Sequence, residues 1–374
     1  MARRFRFSRL LFLLLGVAAV AGAAGEREED HRAWQHGVNL VEVGGRLLMI
    51  WASAGNPPRP NLGGDWPHDI YYAWVNDGKF EPNVLVSRPE AQEPASAAVN
   101  ASGTLLVTSE DGNGGINQHA GLWDSALRVL RKYPFTLRRG GHSGHAAAMG
   151  DRFLVTYSEG WVDGGGWLGL GTGEGVYARI VRNDGTVLPE IRIATGHRDG
   201  WPLVAGSDRN WLVVWQRYPE LTLHAALIDA SGKVAVQRQI SGGMPLRYAY
   251  DVEYSPQIAA YVVAGSSGDG GFISLVSPSG EIIATARGLP PMVSESRIVL
   301  GWDGTQLTGA YPVKPRGVAV MRLTAHTITL ANVIDHPYAW DYAGTTGIFL
   351  APDRVLFATL STAGLQLIPV DLRH

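Results

Sequence analysis

The run Trp201-Pro-Leu-Val-Ala-Gly-Ser-Asp-Arg-Asn-Trp-Leu-Val-Val-Trp215, followed by Leu223-His-Ala-Ala-Leu-Ile-Asp-Ala-Ser-Gly-Lys-Val234, decides the fold. Its pieces are short, rich in β-branched and aromatic residues, and bounded by Gly, Ser, Asp or Asn, as strands joined by tight turns are. The stretch reads as a small apolar strand, a turn, a strongly β-forming strand, a loop, a third strand, and a Gly-bearing hairpin into a fourth. The same phrase recurs about every 48–58 residues, a period that signals a solenoid, a propeller or an array.

The register is clearest on the second strand of each unit. Copies stand at Arg46–Trp51, Thr104–Ser109, Arg152–Tyr157 and Asn210–Trp215, with weaker ones at Ile258–Val263, Thr305–Ala310 and Arg354–Thr359. Gly45, Gly103, Asp151 and Asp353 precede four of them, where a tight turn needs such residues. The later half repeats at Ile70–Phe80, Val176–Val187, Ala226–Val234 and Ile273–Ile282, with Asn-Asp-Gly or Ser-Gly corners. Four hairpin-linked strands per unit make one propeller blade. The sequence therefore predicts an all-β fold over residues 36–374: a single β-propeller of about seven four-stranded antiparallel blades. The C-terminal run Leu365–Leu372 is expected to close the ring against strands beginning at His36, because an open ring leaves unprotected edges. Only Leu122–Lys132 carries any helical character.

Composition agrees. The chain has 374 residues with 47 Gly, 12 Trp and 18% charged residues, a mix suited to many turns and sandwiched sheets. The net charge of −2 is too near neutral to point to nucleic acid or an anionic membrane. Residues 1–23 read as a signal peptide: a basic Ala2–Arg9, an apolar core from Leu10 to Val20, and a small-x-small site at Ala21-Gly-Ala23. That core is shorter than the roughly 20 residues that span a bilayer. Residues 24–35 read as a solvated leader. The chain has no Cys, which excludes a lipoprotein anchor, disulfides and thiolate metal centres. The expectation is a periplasmic or extracellular monomer with no membrane insertion after cleavage and no nucleic-acid partner.

Motifs of known chemistry are missing. There is no Gly-x-Ser-x-Gly elbow, His-Glu-x-x-His, phosphate loop or dinucleotide fingerprint. Gly164–Gly175 has glycine spacing for phosphates but not the strand–helix context, so it reads as a long blade loop. Asp111–Gly115 and Gly268–Gly271 offer oxygens to Ca²⁺ without the ligand count of a dedicated loop, and read as turns. No cofactor and no metal ligand are expected, with Ca²⁺ the one ion those turns would suit. Gly121–Asp124 with Gly141-His142 imitates a single WD-repeat blade. Ser109–Asn113 approaches a sialidase Asp-box and fails at its fifth position and closing Trp.

The candidate site comes from position. Segments entering the first strand of each blade form the rim of one propeller face, where ligands usually bind. They carry Trp34-Gln-His36, Gln92-Glu93, His142-Ser-Gly-His145, His197-Arg-Asp-Gly-Trp201, Arg247-Tyr-Ala-Tyr250, Ser294-Glu-Ser-Arg297 and Asp335–Tyr342. Trp34, Trp201 and Trp340 would stack on sugar faces. Arg198, Arg247 and Arg297 offer forks matched to carboxylate or sulfate. His145 and Tyr250 are the candidate proton-transfer groups. The full predicted substrate-binding set is His36, His142, Arg198, Asp199, Trp201, Arg247, Tyr248, Glu295, Arg297, Trp340 and Asp341. Arg198–Asp199 and Glu295–Arg297 also read as rim ion pairs, and Trp51, Tyr157 and Trp215 as packing between blades.

The stretch Pro202–Trp215 with Asp229–Gly232 resembles a secreted bacterial propeller repeat of the form Pro-x-Val-Ala-x-x-Gly-x-x-Tyr-Leu-Val-Val-Trp, which implies an extracytoplasmic propeller and no particular reaction. The His, Tyr and Arg placement is similar, at the level of fold, to seven-bladed polysaccharide lyases and His-dependent rhamnosidases. Two functions fit these residues. One is a carbohydrate-active enzyme, a lyase or glycoside hydrolase, working on an acidic sugar. The other is a non-catalytic propeller that binds a glycan or a surface protein.

Overall fold

A computed structural model of the chain describes residues 38–53, 68–90, 92–111, 117–159, 175–243, 248–340, 344–361 and 364–373. They form seven antiparallel sheets, a seven-bladed β-propeller. Blades 1 to 6 have four strands each, and blade 7 has three among the described residues. Chain order runs across each sheet from its first strand to its last. The seven first strands are Val38–Val43, Gln92–Val99, Gly141–Met149, Arg198–Gly206, Tyr250–Ser255, Val299–Trp302 and Thr345–Ala351. Each touches the next, and the last touches the first, so together they line the central channel.

The second strands explain the fold. In blade 4, Trp211, Val213 and Trp215 pack with Leu154, Ile180 and Ala194 of blade 3. Leu212 and Val214, pointing the other way, pack with Tyr250, Val252 and Tyr261 of blade 5. Alternate side chains of a strand face opposite sides, so a strand with blades on both sides carries apolar residues on both faces. Seven apolar clusters result, one at each junction between neighbouring blades. Trp51 and Tyr157 belong to two of them.

All seven predicted second strands are present. In blades 5 and 6 they begin at Ala260 and Leu307, two residues later than the sequence suggested. Ile258 and Thr305 belong instead to the preceding hairpin turns, which Pro256 and Gly304 lengthen. The Leu122–Lys132 stretch is not helical. It ends the third strand of blade 2 at Trp123, turns on Asp124, whose carboxylate accepts from the Ala126 and Arg128 N–H groups, and enters the fourth strand at Val129. No helix among the described residues is long and apolar enough to cross a membrane.

Among the described residues, the C-terminal run reaches blade 1. The C-terminal strand Gly364–Asp371 hydrogen-bonds to Arg354–Ser361 of its own blade. Blade 7 meets blade 1 through side chains, with Ala358 and Leu365 against Val38, Met49 and Trp51. His36 lies outside the described residues, as do the predicted signal peptide and leader.

Removing Gly364 to His374 should leave the protein insoluble or without a cooperative melt. Leu365, Ile368 and Val370 are buried, and each such side chain contributes about 1.5–3 kcal/mol. A soluble, monomeric truncation with an unchanged thermal transition would show that the ring does not depend on this strand.

Candidate functional site

Four non-glycine residues with positive φ stand at the entries to blades 3 to 6: Ser143 at 56°, Trp201 at 56°, Tyr248 at 58° and Glu295 at 55°. A left-handed backbone costs a residue with a Cβ about 1–3 kcal/mol, and such residues collect at functional sites. In blades 3 and 4 the corner is a β-bulge. Pairing skips from His142↔Ser158 to His145↔Thr156, and from Gly200↔Gln216 to Leu203↔Val214. Gly144 in the first bulge lets the Gln118 amide pack closely, since a Cβ there would lie 2.2–2.3 Å from it and would push that side chain aside.

Each corner is held from the blade before it. The Ser143 N–H donates to Glu110 Oε2 (2.8 Å), that of Trp201 to Ser158 Oγ (3.0 Å), and that of Tyr248 to Gln216 Oε1 (3.4 Å). Glu110, Ser158 and Gln216 occupy corresponding places near the ends of their second strands. The Glu295 N–H donates instead to the Tyr248 carbonyl, and the Glu295 carbonyl accepts from Thr345 of blade 7. This chain of latches sets where the entry side chains point.

They point into one cavity. Its aromatic wall is Trp201, Tyr248 and Tyr250, with His145 beside them; its polar wall is Asp251, Glu295, Ser296 and Arg297. Val38, Asn39 and Thr345 complete it from blades 1 and 7. The volume is about 30 Å³, room for roughly two waters. Trp201 packs on Tyr248 with ring centroids 4.5 Å apart and meets His145 edge-on at 5.6 Å. A wider groove of about 630 Å³ lies among the hairpin turns of blades 4 and 5, lined by Tyr254, Pro256, Pro278 and the Asp208–Arg209 turn. It holds none of the predicted residues.

Arg297 is the only Arg or Lys among the described residues lining the cavity, and Asp251 holds it (Nη1 to Oδ1, 3.1 Å). Asp251 is fully buried and also accepts from the Ile298 N–H at 3.0 Å. Two residues on, Glu253 projects from the same face of the strand. Loss of solvent raises both carboxyls, to about 6 at wholly buried Asp251 and about 8 at half-buried Glu253; Arg297 opposes the rise at each, and Asp251 adds to that at Glu253.

The two candidate proton-transfer groups are each engaged with a backbone carbonyl. Tyr250 donates its hydroxyl to the Trp201 carbonyl at 2.5 Å, and burial, then Tyr218 and Tyr248, push its ionisation well up. Burial, helped by the Arg297 charge, lowers His145 to about 3, so it is neutral at neutral pH. Its Nδ1 lies 3.0 Å from the Ser143 carbonyl, which fixes a proton there.

Six predicted residues thus meet: His145, Trp201, Tyr248, Tyr250, Glu295 and Arg297. Four others do not reach the cavity. His142 is buried against Glu110, with Nδ1 2.8 Å from Oε2. Ser143 Oγ approaches that same nitrogen at 2.7 Å, so these three residues lack the opposite-nitrogen geometry of a relay. Asp199 is buried under a two-pronged ion pair with Arg217 (2.7 and 3.0 Å), whereas Arg198 is exposed. Neighbours on a strand face opposite ways, which is why Arg198 and Asp199 do not pair. Trp340 is buried between blades 6 and 7 against Phe357. Trp34, His36, Arg247 and Asp341 lie outside the described residues.

Asp251 and Glu253 were missed by the sequence reading, which stopped at the strand entry. The alternation Tyr250-Asp-Val-Glu253 in a channel-lining strand was the available signal, since it puts both acids on one face.

No family model matches the chain, and no curated protein matches it. Solved structures share its architecture. The BP39L lectin from Burkholderia pseudomallei superposes with a TM-score of 0.62 at 13% identity, over 91% of this chain and 97% of the lectin. The α-L-arabinanase of Penicillium chrysogenum, complexed with arabinobiose, gives 0.53 at 11%, over 95% and 96%. A chain of the mitotic checkpoint complex gives 0.56 at 11%, over 98% and 100%. At these identities the likeness is one of fold.

The carboxyl pair has a measurable consequence. Its folded-state values lie above ordinary ones, so the folded protein holds more protons, and stability is lost as pH rises from about 4 to about 8. Glu253→Gln mimics the protonated form. It should raise Tm at pH 8 by about 2–4 °C and leave Tm at pH 5 nearly unchanged. Equal effects at both pH values would mean that Glu253 is not held protonated.

Proposed function

We propose that this propeller binds carbohydrate without catalysis, its channel mouth at blades 3 to 6 receiving a terminal or exocyclic group of an uncharged sugar. The observation that carries this reading is the meeting of Glu295, Asp251 and Arg297 with an aromatic wall in a cavity of about two waters' volume. Carboxylate acceptors beside a forked donor suit hydroxyls, which both donate and accept. The volume suits a hydroxymethyl or hydroxyl group rather than a whole ring. An entering carboxylate would meet Asp251 and Glu295 as well as Arg297, which weighs against an acidic sugar. Of the other cations offered for one, Arg198 stands outside the cavity and Arg247 outside the described residues. The lectin and the arabinanase lend the substrate class by analogy of fold alone. The checkpoint-complex chain keeps a protein-binding scaffold as the second reading.

Neutral His145 and hydrogen-bonded Tyr250 argue against β-elimination or hydrolysis through those residues. On a glycan array the protein should retain neutral oligosaccharides, and Glu295→Gln should weaken that binding by about 1.5–3 kcal/mol. Release of reducing ends or unsaturated products, lost in His145→Ala or Tyr250→Phe, would make the protein an enzyme. Retention of no glycan at all would leave the scaffold.

We also infer export, from the basic, apolar and small-residue order of residues 2–23. N-terminal sequencing of protein from the producing cells should begin near Ala24; intact Met1 in the cytoplasm would refute it.

A further inference from the structure

We propose that Asp251 is the specificity-determining residue of this pocket: by holding Arg297 in an ion pair it denies the site to anions, and releasing it converts the site to one that accepts carboxylate or sulfate. The proposal rests on the binding-site reading of the cavity, and one arm of its test does not depend on glycans.

The geometry is specific. Arg297 comes from the blade 6 entry and crosses to Asp251 on the first strand of blade 5 at 3.1 Å. Its side chain is partly exposed to the cavity, whereas that of Asp251 is wholly buried. The guanidinium is a rigid fork with five N–H donors, so the pair with Asp251 cancels its charge without exhausting its hydrogen-bonding capacity. A hydroxyl can use the remaining donors. A carboxylate or sulfate needs the charge, and Asp251 has already neutralised it. Glu295 on the rim adds a second acceptor group beside Arg297, and His145, from blade 3, is neutral and adds no positive charge.

Two routes lift the block. Asp251→Asn removes the charge while its amide oxygen can still accept from the Ile298 N–H. Mild acid does the same in the native chain: burial raises Asp251, and Glu253 above it, so both are mostly protonated at pH 5 while Arg297 keeps its charge. Among the described residues the groups facing this carboxyl pair are Arg297 from blade 6, with His145 and Glu295 at the mouth, and His145 is already neutral at pH 5.

The test follows modification of Arg297 by phenylglyoxal, quantified by peptide mass spectrometry, with sodium sulfate or glucuronate as the anion probe. In the native protein at pH 8 neither anion should slow the modification. In Asp251→Asn at pH 8 both should slow it at least tenfold, and an acidic oligosaccharide should bind at least tenfold more tightly than to the native protein. Anion protection of native Arg297 at pH 8, or no protection in a folded Asp251→Asn, overturns the proposal. Should that variant not fold, the native chain at pH 5 decides by the same measure, using binding of glucuronate and sulfate by calorimetry: binding at pH 5 that vanishes at pH 8 supports the switch, and equal binding at both refutes it. If anions protect Arg297 in the variant while no oligosaccharide binds any form, the switch stands and the carbohydrate reading falls.

Discussion

The structure depends on one constraint: the second strand of every blade is buried on both faces, and each face belongs to a different neighbour. Trp211, Val213 and Trp215 serve the junction with blade 3, and Leu212 and Val214 the junction with blade 5. No blade completes its own core. A blade is therefore stable only with partners on both sides, and the array must return to its start. The return is made by side chains, Ala358 and Leu365 meeting Met49 and Trp51. Because apolar burial is non-directional, side-chain packing of this kind can join the closing sheet to the opening one.

Close packing at the centre creates the second level of organisation. Seven first strands crowd round one channel, and the chain must enter each from the far edge of the blade before. In blades 3 to 6 it enters through a left-handed corner at Ser143, Trp201, Tyr248 or Glu295. Backbone hydrogen bonds donated to Glu110, Ser158 and Gln216 over-determine the first three of these corners, which is how a strained backbone persists. The entries of blades 3 to 6 place His145, Trp201, Tyr248 and Glu295 over the channel mouth, so the cavity is a product of the ring and not of any single blade.

Electrostatics then narrows what the site can do. A buried Asp251 faces one arginine, and a second acid lies two residues along the same strand face. Burial keeps His145 neutral and Tyr250 un-ionised at neutral pH. The arrangement is rich in hydrogen-bonding capacity, and its two strand carboxyls are the groups whose titration is moved toward neutrality.

How much of this was legible in the chain follows from the range of each interaction. Strand positions were readable because alternation, turn residues and repeat period are local; Asn210–Trp215 and its copies needed no partner to be recognised. The blade entries were readable for the same reason, as the repeat period marks them. The roles of individual residues there were not. Arg198 and Asp199 are adjacent in sequence, yet one is exposed and the other buried under Arg217, because a strand sends neighbours to opposite faces. Arg297 finds its partner 46 residues away, on another blade. Trp340 resembles Trp201 in type and in rim position, yet packs between blades while Trp201 turns to the cavity on a left-handed backbone. Local patterning thus determined the strands, the blades and the face that carries the site. Which side chains meet, and which charges cancel, only the tertiary structure decided, because those contacts join residues that the ring alone brings together.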